Sequence, residues 1–172
     1  MGSEMCIRDS IEGDPEFLIE HCDAAGTPFA GEKRFLSLED EVRVAKDTGV
    51  GVTINWGRSA LETRNASTPL AHVRLAAEAG VLRAFMASGA GAGAPEYGAE
   101  WSDAHLPHVD HESSSLLTDD ALAQCIGAAS SGLLYAGVKI QTPRGLTAHE
   151  RSRVLARVAE PMRCLLYTSP SP

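Results

Sequence analysis

The sequence predicts an α/β fold in which helices cover a parallel sheet. Two observations predict it. Four times a short apolar stretch leads into a helical pattern, and each apolar stretch is continuous rather than alternating. Strands that helices bury on both faces have this continuous apolar character. With 172 residues, of which 44% are hydrophobic and 22% charged, the chain is long enough to bury such a core.

The first unit begins with a strand over Phe17–Ile19 that ends at Glu20 and His21. Ser37 is the predicted N-cap of the helix that follows, because its side chain can accept a hydrogen bond from a free backbone N–H group. Gly49 ends that helix, since glycine adopts the left-handed conformation of a C-terminal cap at little cost.

The second unit starts with the β-branched stretch Val50–Ile54, which ends at Asn55. Thr68 is the predicted cap of its helix, and Pro69 is predicted at the first helical position, where the missing N–H group costs nothing. Gly80 is the predicted stop.

The third strand is predicted over Val81–Ala87, and a long loop then leads to a helix capped by Thr118. The fourth strand is predicted over Leu133–Ile140. Thr147 and Glu150 have the spacing of a capping box, so they begin the last helix.

A doubly wound, nucleotide-binding sheet has the same strand–helix alternation, and the Gly89–Gly93 run does follow a strand. In a dinucleotide fold, however, the glycine-rich turn leads directly into a helix. Here the run leads to Pro95, Trp101 and His105, so the sequence favours a mobile loop beside a cleft.

The formal net charge of −8 argues against partners that are themselves anionic, namely nucleic acid and an acidic membrane surface. We find no apolar run of about 20 residues, and residues 1–10 are not expected to be a signal peptide because they lack an apolar core. No C-x-x-C pair occurs, so free thiols in a reducing cytoplasm are expected. The four cysteines are Cys6, Cys22, Cys125 and Cys164.

Both ends differ in character from the middle. Met5–Ser10 and Cys164–Pro172 resemble translated sequencing adapters, so residues 1–10 and 161–172 are expected to be artefactual or disordered. The fold is then expected over residues 11–160, and the natural chain is expected to continue beyond both ends.

Polar residues follow all four predicted strands, where packing does not require them. In a (β/α)8 barrel the carboxyl ends of the strands carry the functional residues. We therefore expect one shared pocket there. Its candidates are Glu20, His21 and Asp23 after the first strand, Asn55, Trp56, Gly57 and Arg58 after the second, Ser88, Asp103 and His105 after the third, and Lys139 and Gln141 after the fourth.

Three segments resemble an uncharacterised bacterial family of xylose-isomerase-like TIM barrels. They are Leu18–Ala24, Ile54–Ser59 and Asp103–Pro107. The resemblance covers nearly all of Ile11–Glu160 and corresponds to strands five to eight. It implies a partial (β/α)8 barrel, with about four βα units forming an open parallel half-barrel.

The resemblance also implies a metal site. Glu20 matches a metal-binding glutamate after strand five, and Asp103 with His105 matches a metal-binding D-x-H pair after strand seven. Carboxylate and imidazole ligands suit one divalent ion, Mn²⁺, Mg²⁺ or Zn²⁺. The chain departs from the pattern at Asn55 and Arg58, where D-x-x-H is usual.

Two further departures are Ser88, where a histidine is usual, and Lys139 or Gln141, near which a glutamate is usual. Cationic side chains therefore provide an alternative to the metal. Arg58 and Lys139 at the same site suit a carboxylate or phosphate substrate.

The implied function is that of a sugar isomerase or epimerase acting on a small carbohydrate-type substrate. Catalytic roles fall to Glu20 as base or metal ligand, to Asp103 and His105 as ligands or proton handlers, and to Lys139. Substrate-binding roles fall to His21, Asn55, Trp56, Arg58 and Ser88.

The alternative is a non-catalytic carbohydrate-binding or regulatory barrel whose metal site has decayed. DNA repair, which one branch of the superfamily performs, is disfavoured by the acidic charge. A half-barrel leaves an inner face uncovered, so a homodimer or an aggregate is expected. That inner face is predicted to contain Leu18, Val52, Ile54, Phe85 and Val138, or their neighbours. His108 and His111 are predicted to lie in a surface loop.

Overall fold

The computed structural model describes residues 15–29, 31–93, 95–129 and 132–168, with the backbone alone for 164–168. Its elements alternate along the chain as predicted. The strands are β1 (Leu18–Glu20), β2 (Gly51–Asn55), β3 (Leu82–Ala87) and β4 (Tyr135–Val138). The helices are α1 (Leu38–Thr48), α2 (Trp56–Thr63), α3 (Thr68–Glu78), α4 (Asp119–Ala129) and α5 (Ala148–Thr168).

The four strands form one parallel sheet in the order β1-β2-β3-β4. Glu20 pairs with Thr53, Asn55 with Met86, and Ala87 with Val138. The carboxyl ends of the strands therefore lie along one edge, where the polar residues are. The predicted α/β class is confirmed, and the sheet is consistent with part of an α/β barrel. Among the described strands, β1 and β4 are its edges.

The two faces of the sheet differ, because successive side chains of a strand point to opposite sides. Val52, Ile54 and Phe85 are fully buried in one core with Trp56 and residues of the helices. The assignment of Val52, Ile54 and Phe85 to an uncovered inner face was therefore wrong. The opposite face carries the side chains one position away in the register, among them Glu20, Thr53, Asn55, Ala84 and Tyr135.

The helix ends agree with the local signals. Ser37 accepts a hydrogen bond from the Asp40 N–H group at 3.2 Å, and Gly49 has a φ of 78°. The Thr118 hydroxyl accepts from Ala121 N–H at 3.2 Å. The predicted capping box also forms, since Glu150 accepts from Thr147 N–H at 2.8 Å.

The second helix begins earlier than predicted, because a separate helix, α2, directly follows β2. The Asn55 side chain caps it by accepting from Arg58 N–H at 3.4 Å. Ser67 rather than Thr68 then precedes α3, so Pro69 is the second helical residue. Eight residues containing a glycine are too short a stretch for the periodic pattern to indicate a helix.

The last helix continues past residue 160, where the fold was expected to end. Met162 is buried in the main core, although Pro161 lies inside the helix. Val154, Val158 and Met162 are four residues apart, so they share one buried face. Residues 1–10 and 169–172 lie outside the described residues. No described helix is long and apolar enough to cross a membrane.

Candidate functional site

A largely buried arginine, Arg58, lies at the carboxyl edge of the sheet. Arg58 Nη1 is 3.0 Å from Glu20 Oε1, and Arg58 Nε donates to Asp103 Oδ2 at 3.1 Å. The same Nη1 donates to Cys22 Sγ at 3.1 Å. We call Glu20, Asn55, Arg58 and Asp103 the strand-end cluster. Burial would lower the pKa of Arg58, but the charges of Asp103 and Glu20 outweigh it and raise the pKa, so the side chain remains a cation.

Asn55 connects the cluster to the third strand. Its Nδ2 donates to Glu20 Oε1 at 3.0 Å, and its Oδ1 accepts from the Ser88 hydroxyl at 2.7 Å. Asn55 and Ser88 are both fully buried. Ser88 therefore holds Asn55 in place, and Asn55 in turn positions the Glu20 carboxylate.

Gly57 allows the first turn of α2 to lie against the end of β3. A Cβ atom at this position would be 2.5 Å from Ser88 Oγ and 3.0 Å from the Gly89 carbonyl oxygen. The helix and the strand can approach this closely only because residue 57 has no side chain.

His105 and Lys139 complete the edge. His105 Nδ1 lies 3.3 Å from Asp103 Oδ1, and this nitrogen is buried and makes no hydrogen bond. Lys139 Nζ lies 3.9 Å from Glu20 Oε1. Burial lowers the pKa of His105. Asp103 opposes that shift, whereas Lys139 and Arg58 add to it. The imidazole is therefore held in its neutral form, which can accept a proton.

The backbone of His105 is itself constrained. The residue has a φ of 49°, in the left-handed region, and its carbonyl oxygen accepts from Gln141 N–H at 2.7 Å. Gln141 Nε2 donates to the Ala104 carbonyl at 2.7 Å. The loop that follows β3 is thereby held against the segment that follows β4, which positions His105 at the strand ends.

The structure thus brings together seven of the twelve residues that were expected to share the carboxyl edge: Glu20, Asn55, Arg58, Ser88, Asp103, His105 and Lys139. The roles assigned to them in binding and catalysis stay predictions. Cys22 was not among the expected site residues, and burial raises the pKa of its thiol.

Two expected substrate-binding residues lie elsewhere. His21 is fully buried on the helix-covered side of the sheet, one position after Glu20 and therefore on the opposite side. Trp56 follows Asn55 in the same way and is fully buried in the main core. The structure therefore does not bring these two side chains together with the strand-end cluster, and their substrate-binding roles stay predictions.

His21 belongs to a second polar group. Its Nδ1 is 2.7 Å from Glu41 Oε2, and its Nε2 is 3.3 Å from Glu62 Oε1. His72 Nε2 is 3.4 Å from Glu62 Oε2. Burial alone would lower the pKa of His21, but the neighbouring carboxylates of Glu41 and Glu62 raise it to about 9. Burial lowers the pKa of His72, and the neighbouring His21 adds to this.

Sequence reasoning missed Glu41, Glu62 and His72. A signal was present for Glu41, because it shares the buried face of α1 with Leu38, Val42 and Ala45. A carboxylate at such a position needs a partner, since an unpaired buried charge is costly. One further expectation needs correction: His108 is 2% exposed rather than a surface residue, whereas His111 is exposed as predicted.

The two groups differ in their suitability for a metal ion. Among the described residues, the group with three ligand atoms within 4.8 Å of one another is His21, Glu62 and His72. Glu20, Asp103 and His105 are not such a group, and the guanidinium of Arg58 bonds to both of their carboxylates.

These features define a parallel α/β protein with a polar, arginine-centred site at the carboxyl edge of its sheet. The chain belongs to the family described as a domain of unknown function, DUF4862, whose model matches residues 5–154. An uncharacterised protein of Salmonella typhimurium is 40% identical to it over 126 residues, which are 73% of this chain. The chain spans about 40% of the length of that relative. No solved structure matches.

Proposed function

We propose that the strand-end cluster binds a small carbohydrate-type substrate and acts as a sugar or sugar-phosphate isomerase or epimerase. The observation that carries this proposal is the environment of Glu20. Its side chain is 38% exposed at the carboxyl edge, and its Oε1 has Arg58 and Asn55 at 3.0 Å and Lys139 at 3.9 Å. An accessible carboxylate beside two cations suits proton abstraction next to a carbonyl group.

Each part of that reaction has a candidate residue. Glu20 would remove the proton from the carbon beside the carbonyl. Arg58 and Lys139 would then stabilise the negative charge that develops on the carbonyl oxygen. His105, which its surroundings keep neutral, would move a proton between substrate oxygens. Positive charge at this edge also favours a phosphate or carboxylate group on the substrate.

The predicted divalent ion fits this cluster poorly. A metal between Glu20 and Asp103 would have to displace the guanidinium that already bonds to both carboxylates. We therefore propose that Arg58 supplies the positive charge that a metal supplies in xylose-isomerase-like barrels. The proposed affiliation with those barrels rests on the resemblance of three segments and is supported by the parallel sheet with its polar carboxyl edge.

The second candidate function is carbohydrate binding without catalysis. The contacts of Arg58 favour this non-catalytic function, because a guanidinium bonded to two carboxylates is a stable arrangement without any reaction. The two functions differ in one observable step, which is exchange of a carbon-bound proton of the substrate with solvent.

That step can be measured by proton NMR in D₂O. The 172-residue chain would be incubated with a panel of aldoses, ketoses and their phosphates. Isomerisation or epimerisation through an enediolate puts solvent deuterium on the carbon next to the carbonyl, so the signal of that proton disappears. Binding alone gives saturation transfer to the sugar without loss of the signal.

Alanine at Glu20 or His105 should abolish exchange while far-UV circular dichroism stays unchanged, because strand-end side chains contribute little to the core. His111→Ala is the matched control, since His111 is an exposed histidine that lies outside the cluster. Exchange that survives in Glu20→Ala would contradict the assigned base. Saturation transfer without exchange in the unmodified chain would favour the non-catalytic function.

A further inference from the structure

A buried group of two histidines and a glutamate lies on the other side of the sheet from the strand-end cluster. We call His21, Glu62 and His72 the outer cluster. It joins three elements, because His21 follows β1, Glu62 lies in α2 and His72 lies in α3. Residue 21 is fully buried, and the side chains of Glu62 and His72 are 8% and 15% exposed.

The ligand atoms are close enough to share one ion. His21 Nε2 is 3.3 Å from Glu62 Oε1, and His72 Nε2 is 3.4 Å from the other carboxylate oxygen, Glu62 Oε2. Two ligands that are each about 2.0–2.1 Å from a tetrahedral zinc ion are themselves about 3.3 Å apart, which is the separation of each imidazole from its nearer Glu62 oxygen. All three ligand groups lie within 4.8 Å of one another.

The outer partners of both imidazoles suit this arrangement. His21 Nδ1 is 2.7 Å from Glu41 Oε2, and His72 Nδ1 is 3.0 Å from Ser59 Oγ. Histidines that bind metals usually donate the N–H group of the other ring nitrogen to a carboxylate or another acceptor, which fixes the tautomer. In both histidines, Nδ1 has such a partner and Nε2 is the atom that points to Glu62.

A buried atom without a hydrogen bond provides an independent indication. His21 Nε2 is buried and makes no hydrogen bond, although Glu62 Oε1 is only 3.3 Å away. Orphaned polar atoms in a native interior need an explanation, and an ion is one of the ordinary ones. Two buried carboxylates also contact His21, namely Glu41 and Glu62, and a single divalent cation would offset both of their negative charges.

From this geometry we infer that the outer cluster is a zinc site, with His21 Nε2, His72 Nε2 and a Glu62 carboxylate oxygen as protein ligands. Two nitrogens and one oxygen suit zinc, whereas Mg²⁺ and Ca²⁺ prefer oxygen ligands throughout. Because the site is buried, its role is to fasten the end of β1 to α2 and α3. It is separate from the proposed catalytic cluster and does not depend on that function.

The test uses the full chain, freed of metal with a chelator, desalted and titrated with zinc. Competition with a chromophoric zinc chelator should give one equivalent bound, and elemental analysis after gel filtration should retain it. Cobalt in place of zinc should produce the intense visible absorption bands of a tetrahedral site. His72→Gln should lose the stoichiometric zinc, and Glu41→Gln should weaken binding on the order of 10–100-fold, because Glu41 only orients His21.

Two controls keep the result clear. His105→Gln changes a histidine beside the strand-end cluster, and it should bind zinc like the unmodified chain. His72 is chosen for removal because its side chain is the most exposed of the three, and far-UV circular dichroism verifies its fold. The inference is overturned if the folded chain binds no zinc. It is equally overturned if His72→Gln retains the equivalent, or if His105→Gln is the variant that loses it.

Discussion

Glu20 and His21 are neighbours in the chain but belong to different sites. Glu20 lies at the accessible carboxyl edge, where Arg58 and Asn55 contact it at 3.0 Å. His21 lies on the helix-covered side, fully buried between Glu41 and Glu62. The strand sends successive side chains in opposite directions, so one peptide bond separates an accessible polar site from a buried one.

The comparison shows that polarity at a strand end does not by itself indicate a shared pocket. In the strand-end cluster, the carboxylates of Glu20 and Asp103 pair with the Arg58 guanidinium. The cluster is open to solvent at Glu20, which suits contact with a ligand. The outer cluster is enclosed by three helices, which suits a structural role. We expect substitution of the accessible Glu20 to change binding or rate, and substitutions in the outer cluster to change the free energy of unfolding.

The largest effect on stability should come from Arg58→Ala. The Arg58 side chain links α2 to Glu20 at the end of β1 and to Asp103 in the β3–α4 loop. Removal leaves the Asp103 carboxylate partly buried without its cation, a loss of about 3 kcal/mol in the free energy of unfolding. Urea unfolding measures it. Arg43→Ala is the control, because Arg43 also pairs with an aspartate but is 72% exposed, and its loss should stay within about 0.5 kcal/mol. Equal losses would show that Arg58 does not have the central position described.

The second prediction compares two glutamate-to-glutamine changes in chelator-treated protein. Glu62→Gln removes a buried charge that lies between two imidazoles and also accepts from Ala24 N–H at 2.6 Å, so about 2 kcal/mol should be lost. Glu20→Gln should cost within about 0.5 kcal/mol, because the side chain is 38% exposed. Thermal unfolding followed by circular dichroism distinguishes them, and a larger cost for Glu20→Gln would break the comparison.

The third prediction concerns the support beneath Glu20. Ser88→Ala removes the buried hydrogen bond to Asn55 Oδ1, which should cost about 1 kcal/mol. Urea unfolding of Ser88→Ala beside Ser113→Ala, an exposed serine in the same loop region, isolates the effect of the bond. The two curves should differ in midpoint and not in slope. Identical midpoints would mean that Asn55 is held without Ser88.

The smallest effect is a dependence on pH. The folded pKa of His105 is below its ordinary value, so as the pH falls below 6.5 the unfolded chain takes up a proton before the folded chain does. His105 therefore decreases the stability in that window, down to its folded pKa, and contributes no pH dependence above pH 6.5. The free energy of unfolding of His105→Gln, measured by urea unfolding at a series of pH values, should decrease less steeply than that of the unmodified chain as the pH falls below 6.5. Parallel curves would contradict the lowered pKa.

Features that depend on nearby residues were predictable from the sequence. The Ser37 and Gly49 caps and the Thr147–Glu150 box follow from contacts within a few residues, and all are present. The strand order also follows, because short strand–helix units place successive parallel strands side by side. The carboxyl edge was therefore found in advance, with most of its polar residues.

Features that depend on distant contacts were not predictable. His21 meets Glu62 and His72 only because α2 and α3 turn particular faces towards β1, and no local pattern specifies that rotation. Helix α2 was missed because its N-cap, Asn55, was interpreted as a site residue alone, whereas it has both roles. The inner and outer faces were exchanged because continuous apolar strands such as β2 carry no alternation to tell them apart.

The absence of a side chain at Gly57 has a consequence for the evolution of the family. Residue 57 and Ser88 compete for the same few cubic ångströms, so their sizes are linked. A lineage that acquires alanine at 57 must also shrink residue 88 to glycine or alanine, and it then loses the hydroxyl that holds Asn55. Serine at 88, and with it a braced Asn55, should therefore occur among relatives only where residue 57 is glycine.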